Sequence, residues 1–160
     1  MASKKTLKDL SGKWRMNKDL STDPSPVLEL QGVGALVRKA ASHAPISLDV
    51  RQKEESGTTQ IFIDQSTAAS IPAINEEWIL DWQDREQKDA ILGKVKSKIR
   101  WRKKGEISQG WLTEGLEEDE VVEALVVSQE SDWKAEQVSN LYRCPFWFRI
   151  FTMTSGMGLL

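Results

Sequence analysis

One cysteine, one histidine and one tyrosine occur in 160 residues, and the first two scarcities each remove a class of chemistry. With Cys144 alone no intramolecular disulfide can form, which argues for a reducing compartment and a cytoplasmic protein. With His43 alone, a Ser-His-Asp arrangement has neither a nucleophile elbow nor ordered partners in sequence. No second His or Cys completes a metal ligand set, and the carboxylates of Glu114, Glu117, Glu118, Asp119 and Glu120 lack calcium-loop spacing, so no metal is expected. Gly32-Val33-Gly34 lacks the third glycine of a dinucleotide fingerprint and has no βαβ context, so no phosphate-bearing cofactor is expected either.

Long apolar runs are also missing. The most apolar stretch, Pro145–Phe151, is interrupted by Arg149, which excludes a helical membrane span. Met1–Leu10 is polar and carries Lys4, Lys5 and Lys8, without the apolar run of a secretory signal, so residues 1–10 read as a flexible leader. The 22 Lys+Arg and 24 Asp+Glu leave a net charge of −2, which gives nucleic acid or an anionic membrane nothing to hold.

What the chain does have is alternation with period two. Trp14 and Met16 alternate with Lys13, Arg15 and Asn17. After them, Ser21-Thr22-Asp23-Pro24 reads as a helix start, and two short helices, or one bent at Gly32–Gly34, run to His43. Beyond Pro45 the pattern is strands. Ile46, Leu48 and Val50, then Thr59, Ile61 and Ile63, form a hairpin around Glu54–Gly57, and Trp78, Leu80 and Trp82 share one face of Glu76–Gln83. Asp84–Lys88 reads as a charged turn. In Gly93–Lys104 five cations occupy every second position and Val95, Ser97, Ile99 and Trp101 fill the others, a spacing that a helix would scatter. Gln109–Leu112 reads as a short strand, Val121–Val127 as a strand covered on both faces, and Trp133–Val138 and Phe146–Thr152 as the last strands.

Seven to nine strands with helices only between the first two exclude parallel crossovers and leave an antiparallel meander. At this length one domain is expected, residues 11–152, with a tail at 153–160. The expected fold is mostly β, an up-and-down antiparallel β-barrel whose interior holds side chains or one small guest.

Leu10-Ser11-Gly12-Lys13-Trp14 resembles the G-x-W opening of the lipocalin and fatty-acid-binding (calycin) group, in which the Trp packs at the closed end of the barrel. The stretch from Ser11 to about Val127 is similar to small lipocalin-like proteins of fungi, through Gln31-Gly32-Val33, Arg38-Lys39, Leu80-Asp81-Trp82, Gly93 and Arg100-Trp101. The resemblance fails at the end, where the group carries an Arg that stacks on the first-strand Trp. Here the chain reads Gln137–Trp147, so either Arg149 or Arg143 replaces that Arg or the segment after Val138 is a gene-prediction artefact.

The resemblance implies a barrel that encloses a lipid, terpenoid or polyketide in fungal secondary metabolism. Its alternative is a cofactor-free cyclase or isomerase, of the pericyclase or Diels-Alderase kind, that shapes a reactive polyene. Seven Trp residues suit either reading or a filled core. The expected ligand-binding residues are Thr59, Ile61, Ile63, Gln65, Trp78, Leu80, Trp82, Ser97, Ile99 and Trp101, with Thr59, Gln65 and Ser97 as the polar minority and Gln65 or Thr59 polarising a carbonyl. The cations of Lys94–Lys104 point away from Trp101, which speaks against a nucleic-acid groove. They suit a solvated outer face, steered in a homodimer against the acidic loop of a second copy. A third reading is an interaction module with a filled barrel.

Overall fold

The computed structural model describes residues 6–17, 19, 22–67, 74–139 and 149–150. Its elements are β1 (Gly12–Arg15), α1 (Ser25–Leu30), α2 (Ala35–His43), β2 (Ile46–Glu55), β3 (Thr58–Thr67), β4 (Ile74–Ile79), β5 (Arg85–Asp89), β6 (Gly93–Lys103), α3 (Gly110–Thr113), β7 (Glu120–Ser128), β8 (Lys134–Ser139) and β9 (Arg149–Ile150). Within each of two sheets every strand pairs antiparallel with its neighbours in sequence, the first sheet ordered β1-β2-β3-β4 and the second β5-β6-β7-β8-β9. This is the meander expected from the sequence, with the helical pair between the first two strands.

The continuous wall expected of a barrel is interrupted. Among the described residues no ladder joins β4 to β5, and the chain instead steps between sheets at Leu80–Trp82. The Leu80 N–H donates to the Thr59 carbonyl of the first sheet, and the Trp82 N–H donates to the Ile99 carbonyl of the second. Trp82 makes this step at φ 60°, a conformation costly for a bulky residue and held here by its surroundings. The sheets nevertheless share one core, since Ile46, Leu48, Val50, Ile61 and Ile63 from the first pack with Ile99, Val122 and Ala124 from the second.

Local chemistry explains the tight turns. The β2–β3 hairpin turns on Ser56 (φ 51°) and Gly57 (φ 77°), two consecutive positive φ values of the kind that match strand twist. Gly93 ends the β5–β6 turn at φ 76°, a conformation that favours glycine, and a Cβ there would meet the Glu130 carboxylate.

Several expectations are corrected. Order reaches back before Ser11: Leu7 and Leu10 are buried in the core, and the Gln52 side chain holds both, accepting from the Leu10 N–H and donating to the Leu7 carbonyl. Two apolar side chains gain enough by burial to fix this end of the leader. Asp84–Lys88 falls within or beside β5, whose polar composition suits the end strand of a sheet. The strand expected at Gln109–Leu112 is instead the start of α3, which Gln109 precedes: Leu112 is fully buried against Ile107, Leu116, Val121 and Val138 while Trp111 is exposed, an arrangement one helical turn supplies. That cluster also explains the apolar double face of β7: Val122 and Ala124 enter the main core and Val121 lies beneath α3. The expected strand at Phe146–Thr152 is described only at β9, and Cys144, Arg143, the connection around Pro72 and the tail lie outside the described residues.

Candidate functional site

Pleating sends alternate residues of each strand to the same side. On β3 the inward set is Thr59, Ile61, Ile63 and Gln65; on β4 it includes Trp78, opposite Ile61, and Glu76, opposite Ile63. On β6 it includes Ser97, Ile99 and Trp101, the last two opposite Ala124 and Val122. Leu80 continues the β4 set into the core. Nine of the ten residues singled out in the sequence therefore share the inner side.

Trp82 does not. The positive φ at the sheet crossing breaks the alternation, and its ring packs 3.8 Å from the Arg100 guanidinium and 4.6 Å from the Lys98 ammonium, two cations of the outward set of β6. The contact is a cation–π stack on the outer surface. Beside it, Glu123 is buried on β7 and is satisfied by Arg100 at 2.6 Å and Arg102 at 2.5 Å, so part of the cationic row serves an ion pair.

One end of the inner face is closed by mutual satisfaction. The Trp101 Nε1–H donates to Thr59 Oγ1 at 2.9 Å, and that hydroxyl donates to Glu54 Oε2 at 2.9 Å. The Lys8 ammonium lies 3.8 Å from the Trp101 ring and pairs with Glu120 at 3.0 Å. Thr59 is buried with its one proton committed, so it cannot also donate to a guest's carbonyl as expected.

The other end is different. Trp78 and Glu76, two residues apart on one face, are both only partly buried although both point inward, and the Trp78 Nε1–H donates to Glu76 Oε2 at 2.7 Å. Burial raises the Glu76 carboxyl above its ordinary value, Asp89 adds to the rise, and the Trp78 N–H partly opposes it. Gln65, also partly buried, lies two residues along β3 from Ile63, the partner of Glu76, and Ser97 is partly buried in the inward phase of β6. Glu76 is not among the residues expected from the sequence, although it shares the phase of Trp78.

Other features lie away from Glu76 and Trp78. An open concavity of about 570 Å³ lies mainly against outward residues of the first sheet, including Lys13, Arg15, Asp49, Asp64 and Asn75, with Trp14, Leu48 and Gln65 contributing. His43 ends α2, exposed, with Nδ1 2.9 Å from the Lys39 carbonyl. Among the described residues no three His, Cys, Asp or Glu side chains are grouped to hold a metal ion, and no helix is long and apolar enough to cross a membrane.

No protein-family profile matches the chain. It is 32% identical over 116 residues to the probable pericyclase scpY of Mollisia scopiformis, an alignment covering 70% of this chain and 61% of that protein. It is 28% identical over 116 residues to the pericyclase pydY of an Acremonium species, covering 70% of this chain and 63% of that protein. The chain thus spans about six-tenths of the length of these curated relatives. Among solved structures it is similar to human cRBP IV, with a TM-score of 0.49 at 11% identity over 83% of this chain and 89% of that one. It is also similar to a Schistosoma mansoni fatty acid binding protein in complex with arachidonic acid, with a TM-score of 0.49 at 11% identity over 81% and 86%. By sequence, then, the proteins this meander is similar to include two fungal pericyclases.

Proposed function

We propose that the chain encloses a hydrophobic polyene, of polyketide or terpenoid type, against the inner face of its strands and promotes the cyclisation of that guest without a cofactor. The observation that carries the reading is an inward set of Trp78, Trp101, Ile61, Ile63, Leu80 and Ile99 in a chain similar to two proteins named pericyclases. A pericyclic step needs no base, metal or redox partner. It needs a folded guest, and fixing the reacting carbons in near-attack geometry removes several kcal/mol of barrier through orientation alone. An apolar wall with a few polar groups is the kind of surface that does this. In the same reading the chain works as one barrel domain in the cytoplasm, has no nucleic-acid partner and is a monomer or homodimer.

Simple carriage is the second reading, favoured by the satisfied polar groups at the Thr59 end, which leave few groups for chemistry. One experiment separates the two. A linear trienone that cyclises slowly by itself is added to the purified chain, and both thermal stabilisation and product ratio are measured. Stabilisation with an altered ratio supports the cyclase, whereas stabilisation with the uncatalysed ratio leaves carriage. Failure to stabilise refutes both.

A further inference from the structure

Resting on the cyclase reading, we propose that the Glu76 carboxyl is the catalytic residue that hydrogen-bonds the carbonyl oxygen of the guest, and that the guest is therefore a neutral, carbonyl-bearing polyene rather than a fatty acid. The geometry supplies the argument. Glu76 points to the inner side from β4, opposite Ile63, and its Oε2 is fixed by the Trp78 indole N–H. Its second oxygen, Oε1, has no hydrogen-bond partner among the described residues. The indole that orients the carboxyl also packs against the apolar core, so donor and wall are built together.

The surroundings choose the protonation state. Among the described residues Asp89 on β5 is the charged group that acts on Glu76; Arg85 shares its phase on β5, and Glu54 on β2 is engaged by Thr59 at the other end. The inward residues of β3 and β6 are Thr59, Ile61, Ile63, Gln65, Val95, Ser97, Ile99 and Trp101, none of which carries a charge. Asp89 caps the β5–β6 turn by accepting from the Ile91 and Leu92 N–H groups, and Arg85 is held in two hydrogen bonds by Asp81. Glu76 thus faces a carboxylate and no unengaged cation among the described residues, and burial acts in the same direction, toward the protonated acid. A protonated carboxyl donates through O–H, as a carboxylate cannot. The same field repels an anionic headgroup.

In the step itself, three π bonds of diene and dienophile become two new carbon–carbon σ bonds and one π bond. No atom leaves, and the acid proton stays on Glu76. As the conjugated carbonyl draws electron density from the forming bonds its oxygen becomes more negative, so the hydrogen bond it accepts from the Glu76 O–H strengthens toward the transition state and accelerates the step.

The test uses the full chain with a linear trienone carrying a labelled carbonyl. For the wild type we expect a lowered carbonyl stretching frequency in the bound state and an accelerated cyclisation whose rate falls as pH rises and the donor is lost. Glu76→Leu abolishes the frequency shift and lowers kcat roughly tenfold or more with little change in KM. Glu76→Gln, of the same shape and still a donor, keeps part of both but loses the pH dependence. Tighter binding of the matching polyene carboxylate than of the trienone overturns the proposal, as does an unchanged frequency and rate in a folded Glu76→Leu chain. If instead the wild type itself gives no acceleration, the cyclase reading fails before Glu76 is reached.

Discussion

At the Thr59 end of the inner face a hydroxyl accepts from Trp101 and donates to Glu54, and a lysine covers the indole and pairs with Glu120. At the Glu76 end an indole N–H also meets an oxygen, but the acceptor is a carboxyl with its other oxygen open and an environment that resists its charge. Both ends carry an aromatic–polar pair. In the first, each partner completes the other and the arrangement holds the sheets together. In the second, one valence is left for something the chain itself does not supply, which marks binding or catalysis more than packing.

The contrast can be broken by removing the polar partner at either end. Thr59→Val keeps shape and deletes the hydroxyl, stranding the Trp101 N–H inside the core. We expect a loss of about 1–3 kcal/mol, read as a lowered denaturation midpoint, with trienone preference unchanged. Equal stability in this variant would place the two ends on the same footing.

A somewhat smaller effect sharpens the assignment of Trp82 to the outer surface. Trp82→Ala removes two cation–π contacts, at roughly 0.5–1 kcal/mol each, and should leave guest binding and cyclisation intact. A loss of binding in a folded variant would return Trp82 to the site.

Glu76→Gln should behave oppositely to Thr59→Val. Because the folded carboxyl is raised above its ordinary 4.5, its protonated form contributes stability that is complete below that value and is lost as pH rises through the folded pKa. The variant should therefore gain stability relative to wild type as pH rises, measured by thermal denaturation across the range. A constant difference would mean that the carboxyl is not shifted.

The smallest expected effect lies at the sheet crossing. Asp81 is lowered from 3.8 to about 2, chiefly by its hydrogen bonds to Arg85, so its contribution is present above pH 4 and lost as pH falls toward 2. Both partners are partly exposed, so less than about 1 kcal/mol is at stake. Arg85→Met should remove the Asp81 part of acid sensitivity in that window and no more.

Much of this architecture was legible because period two survives side-chain detail. The alternation in Ile46–Val50, Thr59–Ile63 and Val95–Trp101 assigned an inward face that the register reproduces. What the pattern could not carry was its own interruption. Nothing in Leu80-Asp81-Trp82 announces a positive φ, so an alternation carried past Leu80 puts Trp82 on the wrong side. The leader hides its burial for a related reason: Leu7 and Leu10 are spaced for neither a strand nor a long helix, and their partners, the core and Gln52, come more than thirty residues later. Glu76 was hidden by its type, since an acid beside Glu77 reads as solvent-facing until its phase with Trp78 is counted.

The seven tryptophans offer the most direct check, because their indole N–H resonances report separately on the inner and outer surfaces. Titrating the isotopically labelled chain with the trienone should shift the Trp78 indole N–H most and leave those of Trp82 and Trp111 in place. Shifts confined to Trp82 or Trp111, or none at a concentration that stabilises the fold, would contradict a guest held beside Glu76 on the inner face.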